Sequence, residues 1–131
     1  MRIIVADHHA HSCWALRLLL DEQPGFDVIG EAMGAQGLLV LAEEHPADLV
    51  LVDQELPGIT INELLARLHA LQPRPIVIVM SSSSEYGSSM LEAGADAFVS
   101  KADQPDWLLE KLYKYARKIE MKEDGNLDNR P

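Results

Sequence analysis

The sequence lacks most of the features that mark secreted, membrane-spanning or nucleic-acid-binding proteins. Its single cysteine, Cys13, cannot form an internal disulfide, which is typical of a reducing compartment. No apolar run is long enough to span a membrane, and the N-terminus shows no signal peptide. There are 21 acidic residues against 11 basic ones, and the net charge of -10 repels phosphate backbones and anionic membranes. We therefore expect a cytoplasmic protein that binds neither nucleic acid nor membrane through this chain.

Glycine-rich phosphate loops are also absent. The sequence contains neither a P-loop nor a G-x-G-x-x-G segment after its first apolar run. The residues at that place read HHAHSC and offer no glycine amides to a phosphate. A flavodoxin-like enzyme or nucleotide-binding protein is therefore disfavoured.

Short apolar runs alternate with segments of helical periodicity along the chain. A length of 131 residues with 47% hydrophobic residues suits one domain with its own core. The runs predict strands at residues 2–6, 26–32, 49–53, 76–80 and 97–100. The periodic segments predict helices at 8–23, 35–44, 60–71, 85–93 and 105–119. This alternation predicts an α/β fold with a doubly wound, five-stranded parallel sheet.

Local signals place the ends of two helices. Thr60 can cap the third helix, with Glu63 three residues later as a capping box. Pro105 suits the first turn of the last helix, and the composition becomes polar after Ile119. We therefore predict a folded domain at residues 1–119 and a polar tail, or the start of a linker, at 120–131.

Polar side chains follow four of the predicted strands, namely Asp7, Asp53, Ser81 and Lys101. A single aspartate after a strand usually caps a turn, but the carboxyl ends of parallel strands share one edge of the sheet, where ligands bind. Paired carboxylates favour a divalent cation, while a hydroxyl and an ammonium suit a phosphoryl group. Because an aspartate can act as a nucleophile towards phosphorus, this edge predicts a site for a metal and an aspartyl phosphate.

Several of these stretches together resemble the receiver domain of two-component response regulators. The matching stretches read IIVADHH, LVLVDQELPG, VIVMSSS and LEAGADAFVSK, and the resemblance covers about the first 118 residues. They are most similar to receivers of LuxR/NarL-type transcription factors. The resemblance implies the flavodoxin-like, CheY-like (βα)5 fold with strand order 2-1-3-4-5.

The resemblance also implies individual roles. Asp53 matches the phosphoacceptor, which takes its phosphoryl group from a sensor histidine kinase. Lys101 matches the lysine that contacts the phosphoryl group, and Ser81 matches the switch hydroxyl. Phe98 matches the aromatic residue that swings inward on activation, when the face of the fourth helix, fifth strand and fifth helix shifts. Such a domain is a switch rather than an enzyme, with at most self-catalysed phosphoryl transfer and aspartyl-phosphate hydrolysis.

The implied Mg²⁺ site is where the sequence departs from the family. Asp7 matches the first of two acids that hold the metal together with Asp53, and Glu55 matches the position whose backbone carbonyl is a ligand. The second acid is His8 here, although Mg²⁺ prefers oxygen. Either a neutral His8 faces solvent and Mg²⁺ binds weakly, or a protonated ring partly replaces the charge of the metal. We expect weak dependence on Mg²⁺.

Three histidines of this loop, His8, His9 and His11, together invite a transition-metal interpretation. The sequence favours a polar loop that enters a helix, because no other Cys or His pair completes a zinc set.

Basic side chains are concentrated on the fifth helix, beside Trp107 and Tyr113. This patch is either a solvated helix face or a surface for a partner or a homodimer, since aromatic and basic side chains often anchor interfaces. Its cations are Lys111, Lys114, Arg117 and Lys118.

The residues and the resemblance together favour a phosphorylatable receiver that controls a partner or a transcriptional output domain. That output domain would lie beyond this chain, and any contact with DNA would belong to it. The alternative is a pseudo-receiver, a protein-interaction module whose metal binding and phosphorylation are impaired by His8.

Overall fold

Each apolar run forms a strand, and all pairs of neighbouring strands are parallel. The computed structural model describes the backbone of residues 1–128 and the side chains of residues 1–122. The strands are β1 (Arg2–Ala6), β2 (Asp27–Ala32), β3 (Leu49–Asp53), β4 (Ile76–Ser81) and β5 (Ala97–Ser100). The helices are α1 (Ala10–Asp21), α2 (Ala35–Glu44), α3 (Ile61–His69), α4 (Gly87–Glu92) and α5 (Pro105–Asp128). By compactness, Met1–Lys101 form one unit and a second begins at Ala102.

The strands lie in the order β2-β1-β3-β4-β5, which confirms the predicted fold and topology. The order reverses between β1 and β3, and the crevice at such a point is where open α/β sheets bind ligands. Strand β3 is buried at all five positions, as its uninterrupted apolar sequence predicts for a central parallel strand. The fold therefore places the acids that end β1 and β3 side by side.

The inward face of α3 is the one that its periodicity predicts. On α3, Leu64, Leu65 and Leu68 are at most 1% exposed, and burying one such side chain stabilises the fold by roughly 1.5–3 kcal/mol. The Thr60 hydroxyl accepts a hydrogen bond from the backbone N–H of Glu63, as predicted. The predicted cap at Thr60 is therefore confirmed. The carboxylate of Glu63, which a capping box would direct to the N–H of Thr60, instead pairs with Arg67 one turn later.

The fourth helix is shorter than predicted. The sequence predicts one helix at residues 85–93. The structure has a 3-10 turn at Ser84–Tyr86, and α4 begins only at Gly87. Serine and glycine have low helix propensity, which explains the broken start. Gly94 follows the helix with a φ of 112°, a value that glycine adopts without strain.

The second unit contains α5, which is longer than predicted. The sequence places its end near Ile119, but the helix continues to Asp128. Glu, Met and Lys at 120–123 are strong helix formers, so a polar composition did not end the helix. The predicted tail or linker covers residues 120–131, of which 129–131 lie outside the described part. Among described residues, no helix is both long and apolar enough to cross a membrane.

Candidate functional site

The acids at the ends of β1 and β3 are the most deeply buried charged groups at this edge of the sheet. Asp7 is 0% exposed and Asp53 is 3% exposed. One oxygen of each is held by the chain itself. Oδ1 of Asp7 accepts the N–H of His9, and Oδ1 of Asp53 accepts the N–H of Glu55, each at 2.9 Å. These turns orient both carboxylates and leave their Oδ2 atoms for other partners.

Lys101 joins the two acids. Its Nζ atom lies 2.7 Å from Oδ2 of Asp7 and 2.8 Å from Oδ2 of Asp53. Its backbone N–H donates to the carbonyl of Ser81 at 2.7 Å, which fixes where the side chain leaves β5. Three strand ends that the sequence predicted to meet are thus joined by charge-assisted hydrogen bonds.

The pKa values of Asp53 and Lys101 move so as to preserve both charges. Burial alone would raise the pKa of Asp53, but hydrogen bonds from Lys101 and from the backbone of Glu55 lower it below its ordinary value. Burial alone would lower the pKa of Lys101, but its bonds to Asp53 and Asp7 raise it. At neutral pH the site therefore holds an ionised Asp53 beside an ammonium ion.

The two predicted switch residues lie on the strands next to this cluster. Ser81 is buried, and its Oγ accepts the N–H of Ser83 at 3.2 Å. Phe98 is partly buried on β5 and packs against the hydrophobic core, with its ring beside Gly87 at the start of α4. The structure therefore connects Ser81 to Lys101 through the backbone and places Phe98 between the core and α4.

His8 is turned towards Asp53. Its Nδ1 atom lies 3.7 Å from Oδ2 of Asp53, and its ring contacts that of His9 with centroids 3.8 Å apart and a tilt of 41°. Although the side chain is 29% exposed, Nδ1 is shielded from solvent and has no hydrogen-bond partner among the described residues. The expectation that His8 simply faces solvent is therefore wrong for this nitrogen, which points into the acidic site.

The residues at this edge fit a divalent cation. Asp7, His8 and Asp53 each offer a ligand atom, and these atoms lie within 4.8 Å of one another. Only the two carboxylates suit Mg²⁺, because that ion prefers oxygen. The side chain of Glu55 belongs to a second, more exposed group with His8 and His9. The role of the Glu55 carbonyl as a ligand stays a prediction.

Cys13 lies close to this region without the properties of a reactive thiol. It is 3% exposed on α1, and burial, together with the charge of Glu31, raises its pKa to about 11. The thiol is therefore protonated at neutral pH and packs as a small apolar group.

Comparison with known families gives one extended match. The family model of the response regulator receiver domain matches residues 3–113. Among curated proteins, the nitrate/nitrite response regulator protein NarL of Escherichia coli K12 is 31% identical over 116 residues. That alignment covers 87% of this chain and 54% of NarL. The chain thus spans about half the length of the curated relatives it matches.

Solved structures have the same fold. The isolated REC domain of RcsB from Salmonella enterica serovar Typhimurium, determined with the phosphomimetic BeF3-, aligns with a TM-score of 0.79 at 22% identity and covers 86% of both chains. A LuxR-family two-component response regulator from Aurantimonas sp. SI85-9A1 aligns with a TM-score of 0.77 at 26% identity. That match covers 86% of this chain and 82% of the other.

Proposed function

The chain belongs to the response regulator receiver domain family, the signalling domains of two-component systems, and on this basis we propose that it accepts a phosphoryl group on Asp53 from a sensor histidine kinase. The observation that carries the proposal is the position of Lys101, whose Nζ lies within 2.8 Å of one oxygen of Asp53 and one of Asp7. An ionised carboxylate beside a fixed ammonium has the components needed for aspartyl-phosphate formation.

The geometry suggests which atom attacks. Oδ1 of Asp53 is held by the N–H of Glu55, whereas Oδ2 faces Lys101 and His8. We expect Oδ2 to bond to phosphorus as the bond from phosphorus to the donor nitrogen breaks. Lys101 then exchanges one carboxylate contact for a phosphoryl oxygen, so that its charge stays compensated. A bound divalent cation, held by Asp7 and Asp53, would neutralise further phosphoryl charge.

The output follows from the residues beside the phosphoacceptor. The new phosphoryl oxygens attract the hydroxyl of Ser81, which now accepts a hydrogen bond from Ser83. Movement of that loop leaves room for Phe98 to turn inward, and Phe98 borders α4 through Gly87. We expect phosphorylation to change the surface to which α4 and β5 contribute, and that surface to control a partner, a second copy of the chain or an output domain.

The relatives favour an output domain in a longer protein. The chain covers 54% of NarL and 48% of the Fimbriae Z protein of Salmonella typhimurium. We propose that transcription is the regulated process, that contact with DNA belongs to a separate domain, and that the protein is cytoplasmic. The net charge of -10 is consistent with a receiver that does not itself contact DNA.

The test is direct phosphorylation. Wild type, Asp53→Asn and Asp21→Asn are incubated with acetyl phosphate and a divalent cation, and intact masses are measured. Asp21 is an exposed control on α1. The proposal predicts addition of one phosphoryl group to wild type and Asp21→Asn and none to Asp53→Asn. Absence of any mass gain with Mg²⁺, Mn²⁺ or Zn²⁺ would instead support a constitutive interaction module.

A further inference from the structure

His8 brings a nitrogen ligand into a site that is otherwise built from oxygen. Its Nδ1 is buried, lies 3.7 Å from Oδ2 of Asp53 and makes no hydrogen bond among the described residues. A buried ring nitrogen without a partner carries an uncompensated desolvation cost. The neutral ring also has a lone pair available for a metal on its unprotonated nitrogen. The orientation of His8 is therefore compatible with that of a metal ligand.

The spacing of the cluster suits a small coordination sphere. The ligand atoms of Asp7, His8 and Asp53 all lie within 4.8 Å of one another, and one pair is 3.7 Å apart. In a tetrahedral zinc site with bonds of about 2.1 Å, two ligand atoms are about 3.4 Å apart. Shortening these separations by at most about 1.4 Å would bring the three donors around one cation.

The chemistry of the donors selects the cation. Two carboxylates and one imidazole match divalent transition metals of the zinc class, whereas Mg²⁺ prefers oxygen and retains much of its water. We propose that the Asp7–His8–Asp53 cluster binds a divalent transition metal, with Zn²⁺ as its representative, in preference to Mg²⁺. This inference deepens the proposed function, because the cation would lie at the phosphoacceptor itself.

Lys101 sets the conditions for that binding. Its ammonium contacts the Oδ2 atoms of both acids, so an entering cation must share or replace these contacts. Two carboxylates and one ammonium leave one net negative charge at the cluster, which still attracts a divalent cation. The alternative group of His8, His9 and Glu55 is less suitable, because His9 and Glu55 are exposed to water.

The experiment measures metal binding without a phosphodonor. Zn²⁺ and Mg²⁺ affinities are determined by calorimetry, with a competing chelator for Zn²⁺, for wild type, His8→Asn, His8→Asp and His11→Gln. Removing even an outer contact of a metal site costs roughly 10- to 100-fold in affinity, so loss of the His8 ligand in His8→Asn should weaken Zn²⁺ binding at least about 10-fold. His8→Asp restores an oxygen ligand and should strengthen Mg²⁺ binding at least about 10-fold. His11 is an exposed histidine on α1, and its replacement should change neither affinity.

Nuclear magnetic resonance supplies a second readout. Zn²⁺ should shift the ring nitrogen signals of His8 before those of His11. Three results would each overturn the inference. His8→Asn could bind Zn²⁺ as tightly as wild type, wild type could bind Mg²⁺ as tightly as His8→Asp, or His9→Gln could abolish Zn²⁺ binding while Asp7→Asn does not.

The outcome is independent of phosphorylation. If Zn²⁺ binds through His8 but Asp53 takes no phosphoryl group, the metal inference stands and the proposed function fails. If Asp53 is phosphorylated while His8→Asn leaves Zn²⁺ affinity unchanged, the proposed function stands and the metal inference fails.

Discussion

Gly87 lies so close to Phe98 that a β-carbon on the glycine would come within 3.3 Å of the phenylalanine ring. Real β-carbons rarely make such short contacts, so the ring or α4 would have to move. Since Gly87 has helical dihedral angles, with φ -54° and ψ -52°, the backbone itself does not require a glycine. The missing side chain instead leaves space for Phe98, which couples the start of α4 to the proposed switch residue.

Replacing Gly87 tests this coupling. A glycine-to-alanine change in a helix stabilises a protein by roughly 0.5–1 kcal/mol when nothing opposes it. Gly37 in α2 is the matched control, because a β-carbon there meets nothing within 4 Å. We expect Gly37→Ala to show that gain in urea unfolding and Gly87→Ala to show a smaller one or none, with altered ring resonances for Phe98. Equal gains and an unchanged ring would contradict the coupling.

Replacing Lys101, whose ammonium contacts both acids, should lower the free energy of unfolding. Lys101→Met leaves the buried Oδ2 atoms of Asp7 and Asp53 without a counter-charge, so the pKa of Asp53 should rise. Breaking a buried pair costs several kcal/mol, and because Lys101 remains 23% exposed we expect about 2 kcal/mol at pH 7. Urea unfolding measures the loss. Arg17→Met, at an exposed ion pair, should cost less than about 1 kcal/mol. A similar cost for both variants would refute the prediction.

The pH dependence of stability should contain a contribution from Asp53. Its pKa is lowered in the folded protein, so unfolded chains bind the proton more readily and stability increases with pH. The contribution is present above the unfolded pKa of about 3.9 and is lost as the pH falls through the folded value. The unfolding free energies of wild type and Asp53→Asn should differ at neutral pH. This difference should shrink as the pH falls below about 4. A difference that stays constant to pH 2 would argue against an ionised, stabilised Asp53.

Asp96, a partly buried acid outside the site, should also matter for stability. Asp96 accepts the N–H of Val77 at 2.8 Å and also contacts His69 and Arg74. Asp96→Ala leaves that N–H without its partner, and we expect a loss of about 1–3 kcal/mol in the free energy of unfolding. Arg74→Ala removes only an exposed charge and should cost less than about 1 kcal/mol. Asp96→Asn, which keeps an acceptor, should recover much of the loss, and no recovery would count against this account.

The sequence sufficed for the features that depend on periodicity and on parallel topology. Buried strands ending in Asp7, Asp53 and Lys101 had to bring these residues to one edge, and the structure joins them there. The sequence left two orientations of His8 open, because hydrophobic patterning does not determine the dihedral angles of a short polar loop. Two partners of Asp96, Val77 and His69, lie 19 and 27 positions away respectively, so no local signal could reveal them.

The longest of these connections bears on how the protein is made. Asp7 and Lys101 are 94 positions apart, so the contact between them waits until nearly all of the first unit has been synthesised. Contacts between distant residues form late, since a long loop must close first, and domains fold as units when the chain emerges from the ribosome. A nascent chain that ends before β5 holds Asp53 without its lysine.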